Sequence, residues 1–247
     1  MALQTVSSAS VFRFGSAPER RPASFPLGLG ASGVHEVCEA DFGGFAALTG
    51  FALAAARPGR GAVIWIRART LGLNHGGLLE TGLERLCGKQ KHFLHVETRR
   101  PPDALWATEE AVCSRAASLV VCELTDMDFT ASRRLTLASG RAGTPVILLM
   151  PHTREGASAS AARWRVSPSP SSPNRYDARA PGAPRWQAVL ERSRQAPHMA
   201  GKSFQLELDD ETLSLPVVSG LAPHTAAPRA LPPQDRPEIG TAFRKTG

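Results

Sequence analysis

Lysine is scarce in this sequence. Only four of the 29 basic residues are lysine, and none precedes Lys89. The first third of the chain therefore has no ammonium group with which to hold a triphosphate. Long apolar runs are missing too: none approaches the roughly 20 residues that a membrane-spanning helix requires. The opening stretch, MALQTVSSASVFRFGSAPERRPASFPLG, lacks the apolar core of a secretory signal, and Pro18, Pro22 and Pro26 would break the amphipathic helix of a transit peptide. Cys38, Cys87, Cys113 and Cys122 form no CxxC pair and no disulfide framework. Reduced, buried thiols in a cytoplasmic protein are expected. His92 and His95 are three apart in a strand-like stretch, point to opposite faces there, and have no fourth ligand beside Cys87, so no metal is expected. No serine stands in a GxSxG elbow and no internal repeat is present, which leaves hydrolase chemistry and solenoid architecture without support.

What is present is an α/β rhythm. The chain is 42% hydrophobic, enough for a substantial core, and between Val34 and Met150 strand-like and helix-like segments alternate. VHEV, GAVIWIRA, KHFLHVE, SLVVCEL and TPVILLMP read as strands, several of them apolar on both faces. The segments DFGGFAALTGFALAAAR (with Asp41 as N-cap), GLLETGLERLCG, PPDALWATEEAVCSRAA (with Asp103 as cap) and TASRRLTLASGRAG read as helices. This alternation predicts a mainly parallel sheet covered on both faces. After Pro151 the texture changes. RWRV, RWQAVLERSR, FQLELDD and LSLPVV predict antiparallel strands that extend the sheet, with the polar loop HTREGASASAA before them. Residues 1–32 read as a disordered leader, 33–219 as one domain, and 220–247 as a disordered proline-rich tail.

The stretch CEADFGGFAALTG, Cys38 to Gly50, lies where a strand–loop–helix phosphate-binding motif would open the domain. A working loop reads GxxxxGK[ST], with backbone amides around the phosphates, the lysine on the β/γ-phosphates and the hydroxyl on magnesium. Fixing the strand and the helix puts Glu39 at the first glycine, Gly44 at the second, Phe45 at the lysine and Ala46 at the Ser/Thr. Only Gly44 fits. A carboxylate roughly 5 Å from a phosphate costs about 3 kcal/mol per phosphate charge at an effective dielectric near 20. No Asp or Glu occurs between Asp41 and Glu80, so the usual early-strand carboxylate is missing, although Glu123 stands at a Walker-B-like strand end. The expectation is a domain without a functional ATP site, without cofactor and without enzymatic activity.

The net charge of +7 and pI near 9.9 point to an anionic partner. Basic residues crowd the region after Pro151, and Arg154, Arg163, Arg165, Arg185, Arg192 and Arg194 are candidate DNA or partner contacts. Trp164 and Trp186 stand beside arginines in RWRV and PRWQ. They either stack bases or plug the core of an added hairpin, and the core role is the expected one.

The runs GVHEV…ADFGGFAALTGFALAAA…GAVIWI, ALWATEEAVCSRAASLVVCEL, TASRRLTLASGRAGTPVILLM and RWRVSPSPSSPN resemble the ImuA family of proteobacteria, small relatives of the RecA recombinase core. The resemblance spans about residues 33 to 218. It implies a RecA-like three-layer α/β/α fold and a cytoplasmic accessory role in damage-induced (SOS) mutagenesis and translesion synthesis. The partners it implies are an inactive-type Y-family polymerase, an error-prone replicative-type polymerase or the RecA recombinase, and single-stranded DNA is a further candidate. By position, HTREGASASAA corresponds to a mobile DNA-binding loop of the recombinase core. Two alternatives stay open: a RecA-related inhibitor of cell division acting on a cytoskeletal GTPase, and an atypical ATPase.

Overall fold

Strands that are apolar on both faces need cover on both, and that requirement sets the architecture. β1 (Gly33–Glu39), β2 (Ala62–Ala68), β4 (Ala117–Glu123) and β5 (Pro145–Met150) are buried along almost their whole length. The computed structural model describes residues 27–30, 33–56, 58–59, 61–87, 92–174, 176–177, 179–209 and 215. The expected tail, most of the expected leader and most of LSLPVV lie outside these residues.

With β3 (Phe93–Thr98), β6 (Ala162–Ser169), β7 (Arg185–Ser193) and β8 (Ser203–Glu207), the strands form one eight-stranded sheet in the order β3-β2-β4-β5-β1-β6-β7-β8. The six strands from β3 to β6 are parallel; β7 and β8 are antiparallel to their neighbours. The fold class is therefore the expected one, with one correction. RWRV does not open the antiparallel extension but joins β1 in parallel. The segment 151–161 carries the chain back to the start of β1, where the Ala161 amide donates to the Val34 carbonyl at 2.7 Å.

On one face Val37, Val63, Trp65, Leu119, Val121, Ile147, Leu149 and Trp164 pack against α1 (Phe45–Ala56) and Leu83 of α3 (Glu80–Cys87). On the other, Val34, Cys38, Ile66, Val120, Cys122, Val146 and Leu148 pack against α4 (Pro101–Cys113) and α5 (Phe129–Ala142). α1 is apolar nearly all round and is buried accordingly, with eight of its twelve residues inside. Its far side is covered by Leu29, which is fully buried and donates its amide to the Ala55 carbonyl at 3.1 Å. Core packing thus begins inside the segment read as leader.

Several helix boundaries differ from the sequence reading. α1 starts at Phe45, not Asp41, because Gly43 adopts a positive φ of 95° and the chain forms an open loop. Asp103 does not cap α4; the helix begins at Pro101, and Asp103 sits in its first turn, ion-paired with Arg100 at 2.8 Å. α5 has a cap the sequence reading omitted: Asp128 accepts from the Ala131 amide at 2.7 Å. The short α2 (Arg69–His75) was not expected. No helix among the described residues is long and apolar enough to cross a membrane.

The four cysteines are not all buried: Cys38 and Cys122 are inside, Cys87 is half-buried and Cys113 is exposed on α4. Burial pushes the Cys38 and Cys122 thiols up to about 12, so neither forms a thiolate near neutral pH. A chromogenic disulfide reagent is expected to titrate Cys113 first and Cys87 more slowly, with Cys38 and Cys122 reacting only on unfolding. Trp164 is fully buried, as the core role requires. Trp164→Ala is expected to cost about 3–5 kcal/mol in chemical denaturation. A loss below about 1 kcal/mol would contradict a packing role.

Candidate functional site at the carboxyl ends of the strands

In open parallel sheets ligands sit outside the carboxyl ends of the strands. Here the ends of β1, β5, β4 and β2 lie level, since Cys38 pairs with Met150 and Glu123 pairs with both Leu149 and Arg67. Strand alternation puts Glu39, Glu123 and Arg67 on the α1 face, in line with Val37, Val121 and Trp65.

The four positions of the phosphate loop are all visible. Glu39 is 3% exposed, and its Oε2 lies 3.8 Å from Nδ1 of His152. Gly44 turns the chain into α1, and its carbonyl accepts from the Ala47 amide at 2.9 Å. Phe45, in the lysine position, is buried and stacks on His75 with ring centroids 3.7 Å apart and 19° between the planes. Ala46 faces a cavity between α1 and the 75–86 segment. Glu123 closes the floor of that cavity at 2% exposure. Its Oε1 accepts from Trp65 Nε1 at 2.7 Å, and Oε2 has no hydrogen-bond donor among the described residues, with His75 Nδ1 3.8 Å away. Two buried carboxylates and a stacked aromatic pair thus occupy the end of the sheet where a triphosphate loop would hold cations and amides.

The candidate arginines do not form a basic face. Arg163 is 4% exposed and donates from Nε to Oε2 of the fully buried Glu36 at 2.6 Å. Arg154, 5% exposed, brings Nε to 3.7 Å from the same oxygen and donates from Nη1 to Asp126 at 2.9 Å. Arg165 binds Glu191 at 2.8 Å and the His152 carbonyl at 2.6 Å. Arg192 donates to the Ser158 carbonyl at 2.6 Å and to Ser160 Oγ at 3.0 Å. These four therefore meet: Arg154 and Arg163 are buried against Glu36, and Arg165 and Arg192 are half-buried beside them, with Glu191 at the exposed rim. Arg185 pairs across the sheet with Glu207 at 2.6 Å. Of the six, only Arg194 is exposed. A register shift at Arg163/Trp164 makes the cluster possible: Trp164 pairs with Leu190 and Arg163 with Arg192, so Glu191 is the extra residue of a bulge.

The charges balance accordingly. Burial opposes the charge on Arg163, but Glu36 outweighs it and the guanidinium is held above its ordinary pKa. Arg192 is held below its ordinary value, by burial first and then by repulsion from Arg163. Sequence reasoning missed Glu36, Glu191 and His75. The available signal was a glutamate in the middle of the strand VHEV, which has to find cations once buried.

A sheet in this order, with helices on both faces and β7 and β8 antiparallel at one edge, is the RecA-like three-layer arrangement. Within that class the chain is similar to Protein ImuA of Caulobacter vibrioides, in strains NA1000/CB15N and CB 15 alike, at 34% identity over 144 residues. That match bears out the ImuA-family resemblance read from the sequence. It takes in 54% of this chain and 56% of the relative, so it spans about half the length of each. No family model matches the chain. Among solved structures, the RadB recombinase aligns over 73% of this chain and 89% of its own at TM-score 0.47 and 14% identity. SulA from Pseudomonas aeruginosa aligns over 48% and 97% at TM-score 0.38 and 15% identity. Likeness at this level adds nothing to the fold assignment, which rests on the sheet order itself.

The Glu36 cluster generates a measurable contrast. Arg163→Ala leaves Glu36 buried with its closest ion pair gone and is expected to cost about 3–5 kcal/mol of stability in urea unfolding. Arg194→Ala, on the surface, should change stability by less than about 0.5 kcal/mol. Equal effects of the two would refute the inward role of Arg163.

Proposed function

We infer that this protein is a non-catalytic, RecA-like accessory of damage-induced mutagenesis and translesion synthesis, working in the cytoplasm through contacts with polymerase-family partners or the recombinase. The observation that carries the reading is the replacement of the lysine position by Phe45, packed on His75 beside the buried Glu39 and Glu123. A fold that keeps its sheet while filling its nucleotide end with aromatic and acidic side chains serves as a scaffold. The similarity to ImuA supplies the biological setting.

Exposed apolar side chains support a protein-binding role for the same end of the molecule. Phe42 on the β1–α1 loop is 88% exposed, Leu73 on α2 is 77% exposed and Leu79 before α3 is 76% exposed. Large apolar groups held in water on the segments that leave β1 and β2 are the usual material of a partner surface. The arginines of the 154–192 region contribute to this reading as structural elements, since their guanidinium groups are engaged by Glu36, Glu191 and loop carbonyls.

Two measurements test the proposal. Calorimetry with Mg-ATP up to about 1 mM should give no saturable heat; micromolar binding would overturn the non-catalytic reading. The tagged chain, recovered from DNA-damaged cells, should retain the inactive-type Y-family polymerase of the same organism, and Phe42→Asp should reduce that retention with the fold intact. Retention of neither that polymerase, nor the replicative-type polymerase, nor the recombinase would overturn the accessory role.

A further inference from the structure

The cavity beside Glu123 has a chemistry of its own. It measures about 260 Å³ and lies between α1 and the 75–86 segment, walled by Phe45, Ala46, Leu79, Leu83 and Leu86. Glycines at 50, 76, 77 and 82 border it and leave the space open. Among the described residues only one of formal charge lines it, Glu123, at the buried end. Trp65 satisfies Oε1 of that carboxylate, while Oε2 is buried with no donor among the described residues. His75 Nδ1, at 3.8 Å, is beyond hydrogen-bonding distance, and its ring is held face to face against Phe45.

We propose that this cavity binds a small organic cation, an amidinium, guanidinium or ammonium group carried on an apolar body. A carboxylate oxygen taken out of water without a donor is costly, and a charged N–H group supplied by a ligand removes that cost with a charge-assisted bond. The apolar walls accept the rest of such a molecule. An anion is repelled by Glu123. A neutral apolar compound fits the walls but leaves Oε2 unsatisfied. A metal ion would need more ligands, and among the described residues no group of three or more His, Cys, Asp or Glu side chains could hold one. The volume lies just below the range of about 300–1,000 Å³ typical of drug-sized ligands, which suits a single ring or a short chain. The inference does not depend on the accessory role: it rests on Oε2 of Glu123, which has no donor among the described residues, although the exposed Leu79 borders both the cavity and the apolar surface.

Benzamidine and its neutral counterpart benzamide are the probes, titrated into the full chain by calorimetry and followed at the Trp65 indole N–H resonance. Benzamidine is expected to bind with one-to-one stoichiometry below about 1 mM, at least about tenfold more tightly than benzamide. Glu123→Gln, which keeps an acceptor for Trp65, should weaken benzamidine at least about tenfold and leave benzamide unchanged. Gly82→Leu, a substitution that favours helix α3 and fills the cavity, should abolish binding of both while cooperative melting persists. Should Glu123→Gln fail to fold, Gly82→Leu decides alone. Equal affinity for the two probes, no benzamidine binding at about 1 mM, or binding that survives Gly82→Leu would overturn the proposal.

Discussion

The fold turns on a carboxylate with no access to water. Glu36 stands in the middle of β1, a strand with neighbours on both sides, and is fully buried. An ionised group in that position is tolerable only with opposite charge and hydrogen bonds around it. Arg163 on the adjoining strand is its direct pairing partner, Ser160 donates to its Oε1 at 3.2 Å, and Arg154 closes the third side. Each comes from the stretch that follows β5. The need to neutralise Glu36 therefore ties β6 and the 151–161 return segment to β1. The placement of the outer three strands follows from that tie.

The same constraint explains the bulge and the excess of arginine. Four guanidinium groups converge where β1, β6 and β7 meet, and Glu36 alone cannot balance them. The extra residue in β7 brings Glu191 to Arg165 at 2.8 Å and to Arg163 at 3.5 Å. Serines and backbone carbonyls of the 156–160 segment accept from Arg163 and Arg192. Arginine suits this task better than lysine because its planar fork serves several acceptors at once and keeps its charge when desolvated. A basic composition need not mean a basic surface.

On the opposite face the strands end in a different economy of contacts. Phe45 enters the core at the first residue of α1 and anchors His75, which positions the glycine turn at Gly76 and Gly77 above the cavity. Glu123 holds the Trp65 indole, so the neighbouring strands β2 and β4 are joined side chain to side chain as well as along the backbone. The β1–α1 connection is a packing junction, with one large exposed group, Phe42, directed to solvent.

The amino-acid sequence by itself determined the alternating elements, the parallel core and the presence of Glu39, Phe45 and Ala46 at the β1–α1 junction, because these depend on local periodicity and on residue identity at single positions. It also placed Trp164 in the core, since an indole in a strand has few other destinations. Tertiary structure decided everything that depended on which residues meet. Arg154, Arg163, Arg165 and Arg192 read as a basic surface until the tertiary structure puts Arg154 and Arg163 on Glu36, Arg165 on Glu191 and Arg192 on Ser158 and Ser160. Asp103 looks like a cap until helix geometry places it in the first turn of α4, while the cap of α5, Asp128, emerges only from the structure. Glu123 is an ordinary strand-end acid until α1 and α3 close over it. Charge, count and spacing are properties of the chain; burial and partnership arise only when distant segments pack, and they set the energy of each charged group.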